Sequence, residues 1–282
     1  MPEVKMGALV PEVAMSAEHR RRFAELHARD ELVVMPNPWD AGSARLLATL
    51  GFEALATTSA GFAWSLGKLD GEVTRGELVA HVQSLATATE LPLNVDSERC
   101  FPDDAGGVGQ TVRLLGEAGA AGCSIEDWNP VTGRIEDVSL AAERVADAAE
   151  AARAFDPPLV LTGRAENHLH GVDDLDDTVA RLIAYRDAGA DCVYAPALTT
   201  AEQIAAVVQA VGVPVNVLAL PVGPSVPELA KLGVRRVSTG GLLAATAYGA
   251  LAAAARELSG EGTSTYAAGR LSEEDKQAAF GT

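Results

Sequence analysis

The sequence predicts a (β/α)8 barrel, an α/β fold of eight parallel strands alternating with helices, carrying a C-terminal helical extension. Three observations predict it. Short β-branched or aliphatic runs recur eight times, at residues 32–35, 54–58, 91–95, 122–125, 159–162, 192–195, 213–218 and 236–239. Between them lie apolar residues at helical spacing, as in Val112, Leu114, Leu115 and Ala118, or Leu140, Val145, Ala148 and Ala149. The helix-to-strand joints repeat a glycine, in Leu50-Gly51-Phe52, Ala118-Gly119-Ala120, Ala188-Gly189-Ala190 and Leu232-Gly233-Val234, where a left-handed residue ends a helix.

In chain order, a helical segment at about residues 16–30 precedes the first run. The second run ends in Thr57-Thr58-Ser59-Ala60-Gly61, the third leads into Asp96-Ser97-Glu98, and the fourth leads into Glu126-Asp127. The fifth ends in Gly163-Arg164, the sixth reaches Pro196, and the eighth is followed by Gly240-Gly241. Runs that are apolar throughout suit parallel strands buried on both faces. A Rossmann or flavodoxin-like sheet competes, but it usually has fewer strands, and no GxGxxG follows the first run. Residues 242–255 read as a packed helix of small apolar residues, and residues 257–282 as an extra helix or a loose tail. The whole length of 282 residues suits one barrel domain of roughly 250 residues with extensions.

Composition excludes several functions. With 22 Lys and Arg against 39 Asp and Glu, the net charge of −17 argues against phosphate backbones and anionic membranes, so nucleic acid is not an expected partner. No stretch is long and apolar enough for a membrane span, and Glu3, Lys5 and Glu12 interrupt anything resembling a signal peptide. Cys100, Cys123 and Cys192 are odd in number and widely spaced, which suits a reducing cytoplasm.

The candidate site is a set of carboxylates beyond strand ends. A parallel barrel gathers those ends at one rim. Residues two apart in a strand share a side, so Asp96 and Glu98 would face the mouth together if the third strand continued to them, with Glu126 arriving from the next. Converging carboxylates suit a hard divalent cation, Mg²⁺ or Mn²⁺; the same residues could instead cap the following helices. Arg164 could hold a substrate carboxylate in a bidentate pair, or form a structural bridge to Glu166 or Glu126. His168 could be an acid or base, or lie on the surface. Thr57, Thr58 and Ser59 offer hydroxyls and N–H groups to an anion, as an ordinary polar turn also does, and Gly240-Gly241 suits either a phosphate corner or a tight turn.

Absences narrow the chemistry. The only lysines are Lys5, Lys68, Lys231 and Lys276, none ending a strand run, so Schiff-base cleavage has no evident nucleophile. No GxSxG, P-loop or HExxH occurs. What remains is metal-supported enolate chemistry on a 2-oxo acid.

The residues Pro36-Asn37-Pro38-Trp39-Asp40-Ala41-Gly42-Ser43-Ala44-Arg45, with Thr57-Thr58-Ser59-Ala60-Gly61, Asp96-Ser97-Glu98, Ile125-Glu126-Asp127 and Gly189-Ala190-Asp191, resemble the isocitrate lyase/phosphoenolpyruvate mutase superfamily from about residue 32 to 250. The resemblance implies a (β/α)8 barrel, Mg²⁺, 2-oxo acid or enolate substrates, and homodimers or homotetramers that exchange a C-terminal helix. It matches Asp96 to the direct metal ligand, and Glu98 and Glu126 to carboxylates holding the metal's waters. It further matches Arg164 to the substrate arginine, Thr58 to a serine on the pyruvyl carboxylate, and Asp70 to the aspartate of the gating region.

Departures matter for the reaction. Isocitrate and methylisocitrate lyases of this superfamily carry a KKCGH or KRCGH loop whose cysteine acts as acid; here the corresponding stretch is Trp128-Asn129-Pro130-Val131-Thr132-Gly133-Arg134, without cysteine or lysine. Mutases use a lysine and an asparagine there, leaving only Asn129, and Pro196 stands where they have a histidine. Cys100 could replace the missing acid or be a bystander. The expectation is a cytoplasmic, Mg²⁺-dependent carbon-carbon lyase acting on a small 2-oxo or 2-hydroxy carboxylate, with Asp70, Glu126 and Arg164 catalytic. Carbon-phosphorus chemistry and non-catalytic 2-oxo acid binding are the alternatives.

Overall fold

The computed structural model describes residues 9–281. Its elements in chain order are α1 (Leu9–Ala28), β1 (Val33–Met35), α2 (Ala41–Ala48), β2 (Leu55–Ala56), α3 (Ser59–Ser65), α4 (Arg75–Ala88), β3 (Leu93–Asp96), α5 (Gly107–Glu117) and β4 (Gly122–Glu126). There follow β5 (Trp128–Asn129), β6 (Arg134–Ile135), α6 (Val138–Arg153), β7 (Val160–Arg164), α7 (Leu175–Asp187), β8 (Cys192–Tyr194), α8 (Ala201–Val211) and β9 (Val215–Leu218). The chain ends with α9 (Val226–Lys231), β10 (Arg236–Ser238), α10 (Leu242–Gly260), a 3-10 turn (Thr265–Gly269) and α11 (Glu273–Phe280).

Among the described residues, eight parallel strands run in the order β1, β10, β9, β8, β7, β4, β3, β2. The ring closes where the Ala56 N–H donates to the Pro36 carbonyl at 3.2 Å. This is the barrel that the eight runs predict, each run coinciding with a strand to within two residues at nearly every end. Side-chain caps start the helices: Asp40 and Ser43 form a capping box on α2, Thr58 caps α3, and Thr74 with Glu77 boxes α4.

The apolar core lies between the strands and the surrounding helices, where Leu85, Val112, Leu115, Leu161, Leu182, Ile204 and Val237 are all buried. A second cluster of Phe23, Met35, Ala121 and Val160 seats α1 against the barrel. Gly122 makes that seat: a Cβ there would stand 2.6 Å from the Val160 carbonyl and 2.7 Å from the Phe23 ring.

Two features depart from the sequence expectation. Residues 128–135 fold into an antiparallel hairpin, β5 with β6, at the rim instead of an open loop. Helix α10 is largely exposed, with Tyr248, Leu251 and Leu258 on its surface and only Ala244 buried among its residues. Of the two alternatives for residues 257–282, the chain takes helix: α11 packs on α2 and buries Ala279. No helix among the described residues is long and apolar enough to cross a membrane.

Candidate active site

Strand register builds the site. Glu126 at the end of β4 pairs with Arg164 at the end of β7, and Arg164 pairs in turn with Tyr194 on β8. Three side chains from three strands therefore reach the same rim. Arg164 is the hub: Nη1 donates to Asp96 Oδ1 at 2.6 Å, Nε donates to Glu166 Oε1 at 2.9 Å, and Nη2 lies 3.2 Å from Glu126 Oε2. Its guanidinium carbon stands 5.1 Å from the Tyr194 ring centre.

Two chambers meet at this hub. The inner one, about 200 Å³, extends into the barrel and is lined by Thr57, Thr58, Asn94, Asp96, Tyr194 and Arg236, among others. The outer one, about 260 Å³, is lined by Glu98, Glu126, Trp128, Glu166 and His170. Ser59, Asp70, Arg164 and Leu169 border both.

The turn after β2 is tied to the carboxylates. Thr57 Oγ1 accepts from the Asp96 N–H at 2.8 Å, and the Ser59 N–H donates to Asp96 Oδ2 at 3.3 Å. Ser59 also hydrogen-bonds the Asp70 carboxyl, so one residue links two acids. Thr58 Oγ1 accepts the Gly61 N–H at 3.3 Å, which leaves its hydroxyl proton for other partners. The Gly240 N–H donates to Asn37 Oδ1 at 3.0 Å and is therefore not free for a phosphate.

Burial around this arginine shifts the protonation of four carboxyls, Asp70, Glu98, Glu126 and Glu166. Burial first, then the charges of Asp96 and Asp70, push Glu98 up to about 7. Burial, then Asp96, raises Asp70. Burial raises Glu126 well above the usual carboxylate range despite the nearby Arg164, favouring its protonated form. Glu166 is pushed up to about 6 by burial.

A buried frame holds Glu166. The Asp127 carboxylate accepts from the Glu166 N–H at 2.9 Å, the Tyr185 hydroxyl at 2.5 Å and Arg181 Nη1 at 3.1 Å. Gly163 admits Tyr185, because a Cβ there would stand 2.7 Å from the tyrosine's own Cβ.

Eight of the residues read from sequence as site residues meet here: Thr57, Thr58, Ser59, Asp70, Asp96, Glu98, Glu126 and Arg164. The route of Glu98 differs from expectation. Strand β3 ends at Asp96, and Glu98 reaches the outer chamber through a left-handed turn at φ 49°, not by strand alternation. Arg164 is bridged to Glu166 and Glu126, as its structural alternative foresaw, and to Asp96 as well.

Other candidates fall away from the chambers. His168 lines neither one, and its Nδ1 lies 3.4 Å from Asp173. Cys100 is fully buried beside Ser97, with its thiol pushed up to about 12 by burial, so it is no ready proton donor. Asn129 donates to Glu136 Oε1 at 3.0 Å and accepts from Val131 and Thr132, which ties its carboxamide to the hairpin.

Sequence reasoning missed Trp128 and His170, whose rings stack at 3.5 Å and 8° on the outer wall. It also missed Tyr194 and Arg236 within strands. Strand-interior polar residues were the available signal.

Comparison with known proteins gives the family and agrees with the fold. The phosphoenolpyruvate phosphomutase family model matches residues 23–259. The chain belongs to the phosphoenolpyruvate mutase/isocitrate lyase superfamily. An oxaloacetate decarboxylase of Paraburkholderia xenovorans is 36% identical over 228 residues, covering 77% of this chain and 74% of that protein. A Burkholderia cenocepacia structure provisionally described as a lyase/mutase is 49% identical, covers 95% of this chain and 98% of its own, and superposes with a TM-score of 0.91. An oxaloacetate acetylhydrolase solved with its product oxalate is 25% identical, covers 94% of each chain, and has a TM-score of 0.81. The homologues are lyases and mutases, and this superfamily member is an enzyme.

Proposed function

We propose that the enzyme cleaves a carbon-carbon bond next to the carbonyl of a small 2-oxo or 2-hydroxy carboxylate, by way of a pyruvate-type enolate. The observation that carries this reading is the ring of carboxyls around Arg164 at the open strand ends. An inner chamber of about 200 Å³ suits a small acid and is below the usual size of sites for drug-sized ligands.

The donor set fits a hydrated divalent cation, Mg²⁺ or Mn²⁺. Among the described residues no three Asp, Glu, His or Cys side chains converge as a ready-made cage. Mg²⁺ characteristically keeps several waters and takes one or two carboxylates. Asp96 would be the direct ligand, with Glu98 and Glu126 on its waters. When bound, the ion supplies positive charge against the enolate oxygen.

The protein's own groups do the rest. Arg164 orients the substrate carboxylate, releasing Asp96 to the cation as it does so. Thr57, Thr58 and Ser59 close the inner chamber around the same carboxylate. Glu126, kept protonated by burial, can return a proton to the enolate carbon, and Asp70 holds the Ser59 side.

The hairpin favours loss of a group that needs no acid, and carbon dioxide is one. Its loop has no cysteine, and Asn129 is engaged elsewhere, which also argues against phosphoryl mutase chemistry. The oxaloacetate decarboxylase relative supports the same choice. The three thiols, all buried and unpaired, suit a cytoplasmic location. The exposed apolar face of α10 suits a homodimer or homotetramer that exchanges C-terminal helices.

The test is a panel of 2-oxo and 2-hydroxy acids with Mg²⁺, including oxaloacetate and phosphonopyruvate, followed by pyruvate and phosphate release. Asp96→Ala supplies the metal-catalysed background. Pyruvate release above that background without phosphate supports the reading. Phosphate release, or no product from any acid, removes it.

A further inference from the structure

Arg236 is a buried cation without a buried anion. It starts β10, is 2% exposed, and reaches the inner chamber. Its guanidinium is held by neutral groups: Nε donates to Asn216 Oδ1 and Nη2 to Thr162 Oγ1, both at 2.9 Å, while Nη1 lies 3.2 Å from His27 Nε2. His27 brings no negative charge. Its Nδ1 lies 2.8 Å from the Phe23 carbonyl, which can only accept, so Nδ1 carries the proton and Nε2 accepts from Arg236.

The titratable neighbours of Arg236 are His27, Cys192, Tyr194 and Arg164, and among the described residues no carboxylate pairs with it. Arg164, in contrast, is met by the carboxyl groups of Asp96, Glu126 and Glu166. A guanidinium taken from water is strongly disfavoured unless a countercharge completes it, and barrel interiors are ordinarily filled by branched aliphatic residues. The three contacts above use three of five N–H donors, leaving two.

We propose that Arg236 makes the floor of the inner chamber a binding site for a small anion, either a free halide or a carboxylate of the bound acid. The carboxylate source rests on the function proposed above; the halide source does not. In either case the anion supplies the charge that the barrel withholds.

The experiment compares melting in sodium chloride with melting in sodium morpholinoethanesulfonate at equal ionic strength. Chloride should raise the melting temperature of the wild type by roughly 2 to 4 °C and that of Arg236→Met not at all. An equal rise in both proteins overturns the proposal. Wild-type crystals soaked in bromide provide a readout that needs no variant, with an anomalous peak expected beside Arg236. Addition of oxalate then separates the sources: a displaced peak assigns the site to a carboxylate, and a retained peak assigns it to a halide. Equal melting in the two salts, with no bromide or oxalate beside Arg236, sinks the idea. Failure of the lyase reading is scored separately, by pyruvate release.

Discussion

Arg164 and Asp96 are hydrogen-bonded at 2.6 Å, so the residue that would hold the substrate and the residue that would hold the cation neutralise each other. Ligand and metal must therefore compete with this pair or part it together. That coupling predicts that neither binds well alone. In calorimetry, oxalate should bind with Mg²⁺ or Mn²⁺ present and bind far more weakly with EDTA, and Asp96→Ala should abolish the metal-supported binding. Equal affinity in all three cases would remove Asp96 from the site.

Arg164→Lys keeps a charge but loses the planar fork. Two charge-assisted hydrogen bonds to a carboxylate cannot both survive, so oxalate affinity should fall about 10- to 100-fold. The replacement also disturbs three buried carboxyls, and some loss of melting temperature is expected. The discriminating result is affinity measured in the folded variant. Unchanged affinity beside reduced stability would make Arg164 purely structural.

The barrel was legible because its strands are short apolar runs punctuated by glycine, and part of the rim because Asp96 and Glu126 directly follow such runs. Asp96, Glu126 and Arg164 needed only the rule that parallel strands end together. Less was legible where closure of the ring does the positioning. The β5 and β6 strands are two residues each, too short for any periodicity, and the Trp128 and His170 stack joins segments 42 positions apart. Arg236, Asn216 and Thr162 each belong to a strand run, where a polar residue carries no sign of its partner across the barrel.

Gly163→Ala tests the frame behind Glu166. Its methyl group would drive into Tyr185, whose hydroxyl holds Asp127 and, through it, the Glu166 N–H. Overpacking of this kind costs about 1 to 3 kcal/mol. Denaturant unfolding should show that loss, and Tyr185→Phe, which keeps the ring and removes only the hydroxyl, should cost about 1 kcal/mol. A stable Gly163→Ala protein would mean that the tyrosine moves freely, contrary to the packing.

The exposed face of α10 predicts assembly. Leu251 is 64% exposed in a helix that buries little else. Leu251→Glu should lower the mass seen by light scattering from a dimer or tetramer to the single chain. A monomer in both wild type and variant would refute the exchange of helices.

Two histidines predict acid lability. His27 and His81 are each pushed down to about 4 by burial, and His81 lies stacked on Phe62 at 3.7 Å with its Nε2 unpartnered. In the unfolded chain each titrates near 6.5. Between those values the unfolded state binds more protons than the folded one, so stability is intact above pH 6.5 and declines as the pH falls toward 4. The raised carboxyls of Glu98 and Glu126 act in the opposite direction, because the folded state holds their protons at a pH where the unfolded chain has released them. Comparison with a variant isolates one histidine from this background. His81→Leu cannot be protonated, so its loss of unfolding free energy between pH 7 and pH 4.5 should be smaller than the wild type's by about 2 kcal/mol. Identical pH dependence in the two proteins would show that His81 is already solvated, or already charged, in the folded state.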